Sequence, residues 1–431
     1  MAGVSANADR GYPRRLIPSD GCTGLDYLRF ILRNARFLGF GVLLAGLSSV
    51  GQTFVISLFG GHLREEFDLS NADFGLLYGL ATVASAVSLI WIGRLVDSVD
   101  LRVLTAGVLT TAGLGCLLLA GSQGIGVLAL AFFMLRLSGQ GMMVHIAQTS
   151  MARYFTTARG KAISIAMLGL PLAEGIMPLI MVNSASVLGW RETWLITATV
   201  VAAVMMPAAL TLLRGHQQRQ AAYAARLADT DDNDRMRDWR RGEVLRHPFF
   251  YAMLPAIMAP PFIITALFFH QVPLAEEQGW SLRWLAFSFL GFASAHVLSL
   301  LLTGPLVDRF GARRLVPVYL LPMTTGLALL AMATGPWVAP AYLILAGLSV
   351  GAAGTLMGAL WAELYGTRHL GAIRAVVQAI MVMMTALSPV LAGLLLDAGA
   401  RPSGVAQLFA VYAVLASLLA AVAVTRVAPR R

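Results

Sequence analysis

The sequence predicts an all-α membrane protein: twelve transmembrane helices arranged as two six-helix pseudo-repeats. Three observations carry that prediction. The composition is too apolar for water, the apolar residues fall into twelve runs of spanning length, and one charged turn occurs twice at matching places. The chain is 58% hydrophobic and 13% charged, with mean hydropathy +0.73. A soluble domain is about 45–50% apolar and about a quarter charged, so this chain has too few charges to cover a water-facing surface.

Crossing a bilayer core takes about 20 apolar residues in a helix. Such runs fall at 38–60, 73–92, 103–121, 125–150, 162–186 and 192–213, and again at 250–272, 284–303, 314–334, 337–361, 372–396 and 405–425. They divide the chain into an N-terminal arm (1–37), a first bundle (38–213), a linker (214–247), a second bundle (248–425) and a tail (426–431). The arm is mostly polar and does not read as a cleavable signal. Its "LDYLRFILRNARF" alternates basic and apolar residues, the pattern of a short amphipathic helix on an anionic membrane face. The linker "DTDDNDRMRDWRRGEVLRHP" mixes charges of both signs. Cys22 and Cys116 show neither metal spacing nor a disulfide framework.

Charge sets the expected orientation. The net charge is +10, and the basic residues gather in the arm, in the linker and in every second turn, including Arg94, Arg102, Arg153, Arg159, Lys161, Arg309, Arg313, Arg314, Arg368 and Arg374. The opposite face holds only Arg64, Arg191, Arg283 and Arg401. This is the positive-inside bias of a polytopic membrane protein. It places both termini in the cytoplasm and the chain in a plasma membrane, with a bacterial inner membrane the expected one. A nucleic-acid partner is excluded, because a basic binding surface would not be spread over alternate turns. Trp190, Trp194, Trp280, Trp284 and Trp337 fall near outer ends and Trp91 and Trp361 near inner ends, the expected places of aromatic belts.

The repeat is visible as "GRLVDSVDLR" from Gly93 and "GPLVDRFGARR" from Gly304. The same offset relates Gly160 in "RGKAIS" to Gly371 in "LGAIRA". Helices 2 and 8 therefore correspond, as do 4 and 10, and the halves have parallel orientation about an axis along the membrane normal. Glycine permits a tight turn. Asp97 and Asp308 with Arg102, Arg309 and Arg313 are expected to pair across the halves and latch the inner gate.

These turns resemble the loop signature of the major facilitator superfamily, G-x-L-x-D-R-x-G-R-R. The second copy fits it through Gly304, Leu306, Asp308, Arg309, Gly311 and Arg313; the first departs at Ser98 and Asp100. "RLSGQG" from Arg136 is similar to the superfamily's helix-4 motif. "SSVGQTFVISLFG", "RYFTTARGKAISIAMLG" and "FFHQVPLAEEQGWS" are similar to its monocarboxylate porter branch, although helix 8 offers only His296 where animal porters carry an Asp and an Arg. The resemblance implies a secondary transporter that moves a small organic anion, a monocarboxylate for choice, by alternating access. A drug/proton antiporter is the alternative, against which "GLPLAEGIMP" departs from that group's helix-5 pattern.

Polar residues inside the spans point to a site. Arg136 and Glu174 are the deep charges, at similar depth in helices 4 and 5. A charge at the bilayer centre costs about 2.5–3.5 kcal/mol on insertion scales, so both should face protein or water. They are expected to face each other, Arg136 holding a substrate carboxylate and Glu174 carrying the coupled proton. Gln52, Gln140, His296 and Gln378 are the further candidates for the cavity wall. No histidine or cysteine spacing fits a metal, no phosphate-binding loop occurs, and no cofactor is expected. "GLSVG" at Gly347–Gly351 fits a hydrolase elbow only in letters, because it lies in an apolar helix; its glycines, with Gly354 and Gly358, read as packing positions. The chain is thus expected to be a transporter and not an enzyme, a membrane enzyme or receptor being the second alternative, and to work as a monomer whose partners are a small substrate, protons and the bilayer.

Overall fold

The computed structural model describes residues 24–93, 95–155, 159–227, 239–365 and 370–426. Among them no strand occurs, and eleven helices are long and apolar enough to cross a membrane. These are α1 (Leu28–Gly51), α2 (Asn71–Ile92), α3 (Leu101–Ala120), α4 (Ile125–Tyr154), α5 (Lys161–Leu188), α6 (Trp190–Leu212), α7 (Pro248–Phe269), α8 (Leu282–Val307), α10 (Val338–Tyr365), α11 (Val376–Asp397) and α12 (Pro402–Thr425); the ninth, α9 (Leu321–Met332), is shorter. Side chains such as Leu80, Val103, Leu301 and Leu415 are exposed on the outside, as lipid-facing helices require.

Two spans depart most from the unbroken helices expected. The ninth run does not begin at residue 314: residues 316–320 form turns and the helix starts at Leu321. Pro317 has no N–H to give and its ring obstructs a helix interior. Ser349 of α10 completes the break. Its hydroxyl donates to Tyr319 O (2.8 Å) and accepts from Met323 N–H (3.0 Å), sitting between two groups that would bond directly in a regular helix. α1 breaks at Gln52, whose backbone is extended (φ −87°, ψ 154°), and continues as short turns to a helix over Gly60–Phe67. At the break α1 crosses α4 with no side chain between them. A Cβ on Gly139 would lie 2.7 Å from Gly51 Cα, so both positions require glycine.

The end carrying the arm and the linker is called here the linker end, and the other the far end. The halves join through α2 on α11 and α5 on α8, chiefly toward the far end. Gly75 and Gly79 bring α2 against the backbone of Pro389 and Ala386, and Gly175 brings α5 against Ala293. At the far tip the Asp397 carboxylate accepts from Asn71 N–H (3.2 Å), Asn71 Nδ2 (2.9 Å) and Ala72 N–H (2.7 Å), capping the start of α2. Between α1 and α7, Ser57 Oγ donates to Phe268 O at 2.6 Å across a sequence separation of 211. That separation is the one relating Gly93 to Gly304, so the two are repeat mates, and mates can touch only beside the axis that relates the halves.

The aromatic-belt expectation holds in part. Trp91, Trp284 and Trp337 are exposed, but Trp194, Trp280 and Trp361 are buried. Trp194 packs on Phe59 and Trp361 on Phe250, each with ring centroids 5.2 Å apart. Their indoles fill helix–helix gaps rather than reach the interface. Packing also explains "GLSVG": Gly347 and Gly351 bring α10 against the carbonyls of Phe292 and His296 in α8, whereas Gly354 and Gly358 would meet nothing within 4 Å and are not packing positions.

Candidate transport site and gates

Arg136 lies near the middle of α4 and is fully buried. From it to Met143 the helix widens into π-helical turns, a local irregularity common at functional sites. Its Nε donates to Thr82 Oγ1 and its Nη1 to Gly51 O, both at 3.1 Å. The guanidinium lies over the Tyr78 ring, 4.9 Å from its centroid, a desolvated cation–π contact of roughly 2 kcal/mol. Nη2 has no partner, and among the described residues no carboxylate pairs with this cation. The expected Arg136–Glu174 pair is therefore absent. The break in α1 supplies the carbonyl of Gly51, and α2 supplies an aromatic face and a hydroxyl one turn apart, so the cation is held by dipoles instead of an anion.

Tyr78 and Thr82 were not singled out by sequence. Their signal is a polar pair at i and i+4 on one face of a membrane helix. Tyr78 also shares a 2.7 Å hydrogen bond with Thr53 and packs its ring on Phe269 of the other half at 4.7 Å. A chain of contacts therefore runs from Arg136 through Tyr78 into α7.

Glu174 reaches across the halves. Its Oε2 lies 2.8 Å from Nδ1 of His296 in α8. α4 and α5 follow one another in sequence, but the Glu174 face of α5 turns to α8. The two titratable residues proposed from sequence for different roles are thus one pair. The others are not brought together in this way: Gln52 and Gln140 are partly buried, Gln378 is exposed, and none makes a side-chain hydrogen bond among the described residues.

The two repeated turns differ in construction. The side chains of Asp97 and Asp308 lie outside the described residues, as does Arg94 entirely. Gly93 ends α2, its carbonyl 3.1 Å from His145 Nε2. Gly304, expected at a tight turn, instead lies inside a helix that runs to Phe310. The turn comes at Gly311, whose φ of +80° suits glycine. Arg309 stacks on Phe310. The first turn is held by Arg153 Nη1 of α4 donating to Val96 O (3.0 Å), the second by Glu363 Oε2 of α10 accepting from Ala312 N–H (2.8 Å). Beside the first, Asp100 accepts from Arg102 N–H (2.8 Å) and faces His216 Nε2 at 3.1 Å. Burial opposes ionisation of Asp100 but is outweighed by these hydrogen bonds and the His216 charge, which hold its carboxyl below the usual range.

Comparison with known proteins agrees with this architecture. Residues 41–297 match the Major Facilitator Superfamily. No curated protein sequence matches significantly. The structure is similar to that of a bacterial homolog of the human lysosomal transporter Spinster in an inward-facing, unoccupied conformation: TM-score 0.67 and 16% identity, over 91% of this chain and 97% of that one. The inward-facing, occupied form of such a homolog gives TM-score 0.67 and 17% identity, over 93% and 97%. At these identities the likeness speaks for fold, and the family match for kind: this chain belongs to the Major Facilitator Superfamily and is a multi-pass membrane transporter, not an enzyme.

Proposed function

We propose that the protein is a proton-coupled secondary transporter of a small organic anion, a monocarboxylate being the favoured class, working as a monomer by alternating access. The observation that carries the reading is Arg136. A fully buried guanidinium with one unpartnered nitrogen and, among the described residues, no carboxylate partner offers the charge-assisted hydrogen bonds a substrate carboxylate accepts. Gln140 lies one turn along α4 and Gln52 beside the Gly51 carbonyl, where they can complete the site. The bundles 38–213 and 248–425 would be the moving bodies. The gathering of arginines at the linker end supports a cytoplasmic place for it, in a bacterial inner membrane on this reading.

Proton coupling is assigned to Glu174 with His296. An ionised carboxylate against a histidine ties α5 to α8; a proton on Glu174 removes the anion and weakens the tie. Substrate on Arg136 draws its charge away from the Tyr78 face and so loosens the Tyr78–Phe269 contact with α7. Both events act on contacts between the halves, which is what coupling requires.

Proteoliposomes test this. Uptake of a labelled monocarboxylate is expected to rise with an inward proton gradient, and Arg136→Gln to abolish binding. Glu174→Gln is expected to lose gradient-driven accumulation while keeping counterflow exchange, which needs no net proton movement. Uptake indifferent to protonophore rejects the coupling; hydrophobic cation efflux in place of anion uptake rejects the substrate class.

A further inference from the structure

A cavity of about 270 Å³ opens at the linker end, between the start of α1 and the chain that leaves α6. Arg33, Arg36, Arg214 and Arg219 all line it. Among the described residues no carboxylate pairs with any of the four. The nearby Asp100 is occupied by Arg102 N–H and His216. Four like charges around one small volume repel each other at short range, and the fold does nothing to separate them. It fixes one of them instead: Arg219 Nη2 donates to Asn34 Oδ1 (2.8 Å), and its guanidinium lies over Phe155 and Phe37 at 4.8 and 5.2 Å. Burial, and then the charge of Arg36, lower Arg219 from its ordinary range. An arginine held in place against its own electrostatics is a donor set built for a ligand anion.

We propose that this cavity is a phosphate site, filled by the headgroup of an anionic phospholipid. Guanidinium groups match phosphate oxygens bidentately, and several arginines around one cavity suit a phosphodiester better than a single carboxylate. The lipid source follows from position. The cavity lies where α1 enters its apolar run, and Leu28 and Leu32 of that helix are half to two-thirds exposed, offering acyl chains a surface beside the charges. The site is separate from Arg136 and does not depend on the transport reading. A bound headgroup ties the start of α1 to the helix His216–Leu227 that begins the linker.

Native mass spectrometry of the full chain in detergent, with equimolar phosphatidylglycerol and phosphatidylcholine, tests it. One phosphatidylglycerol is expected to be retained in preference. Each basic residue near a membrane surface changes anionic-lipid affinity about fivefold, so Arg36→Gln with Arg219→Gln should lower retention about 25-fold. Arg283→Gln, at the far end, should leave it unchanged. If the first pair of substitutions aggregates, Arg33→Gln with Arg214→Gln, both on exposed side chains, removes the same charge. Equal retention of both lipids overturns the proposal, as does unchanged retention in a folded double variant. Stabilisation by inorganic phosphate alone, with no phosphatidylglycerol retained, assigns the site to a free anion and overturns the lipid.

Discussion

α4 and α10 occupy the same place in the two repeats and do different work. By the repeat offset, "RLSGQG" in α4 stands where "GLSVGA" stands in α10, the Leu-Ser pair shared. Gly347 falls where Arg136 falls. In the second half, Gly347 and Gly351 let α10 lie directly on the backbone of α8. In the first, Arg136 fills the space between α4 and α2, and its guanidinium takes up a backbone carbonyl, a hydroxyl and a ring. Thr385 likewise stands where Glu174 stands. At this pair of positions one backbone plan therefore yields a buried charge in α4 and a close backbone crossing in α10. The deep arginine has no counterpart in the second copy, whose titratable contribution, His296, lies on α8 instead.

The strongest way to break this comparison is to fill its glycine contacts. Gly139→Val should prevent stable folding, since even a Cβ would lie 2.7 Å from Gly51 Cα; overpacking without relaxation costs roughly 3 kcal/mol or more. Gly354→Ala, where a Cβ meets nothing within 4 Å, should leave the melting temperature in detergent within a degree or two (on the order of 0.5 kcal/mol). Equal effects would show that backbone contact at the glycine does not set the cost.

Next in size is the charge itself. Arg136→Gln should cost about 2–5 kcal/mol of anion binding in a thermal-shift titration with carboxylates, and Arg136→Lys should not restore it, because Lys cannot reach Thr82 and Gly51 with one planar fork. Full rescue by Lys would reduce the site to a point charge.

A smaller effect is expected at the far tip. Asp397→Ala removes a carboxylate cap shared across the halves, worth about 1 kcal/mol. Cysteine labelling of α2 and α11 from the far side should increase several-fold, and unchanged labelling would make this cap ornamental to gating. The complementary change at the linker end, Asp97→Asn or Asp308→Asn, should raise accessibility from that side; no change in either leaves those turns as topology signals.

The smallest is a pH effect at Asp100. Its folded carboxyl is held below the unfolded one, so its contribution is present above the unfolded value of about 3.9 and is lost as pH falls through the folded value. Asp100→Asn should lower the melting temperature slightly at neutral pH, and the gap to the native protein should close below about pH 4. A gap that persists there would assign the effect to lost geometry rather than charge.

The spans, the repeat and the deep charges were legible because each is written locally, as a run of about 20 apolar residues, a motif that recurs, or an ion inside such a run. Partnership was not. Arg136 and Glu174 share a depth, and adjacency in sequence put them together, yet α5 turns its Glu174 face to α8 and Arg136 is satisfied by α1 and α2. Gly51 contributes through its carbonyl, which every residue has, so no residue-type signal marks it. Gly304 looked like the turn glycine, but a helix ends where backbone geometry demands a positive φ, and that fell at Gly311.

The short ninth helix bears on how the protein is made. At 12 residues it reaches only about 18 Å, well under a hydrocarbon core of about 30 Å. Among the described residues, the Tyr319 carbonyl and Met323 N–H beside it are completed by the Ser349 hydroxyl, which is synthesised later. An unsatisfied backbone group in lipid costs several kcal/mol. Newly made α9 thus has nowhere to rest alone, and it should leave the insertion machinery together with α10, as a hairpin whose second limb carries the missing hydroxyl.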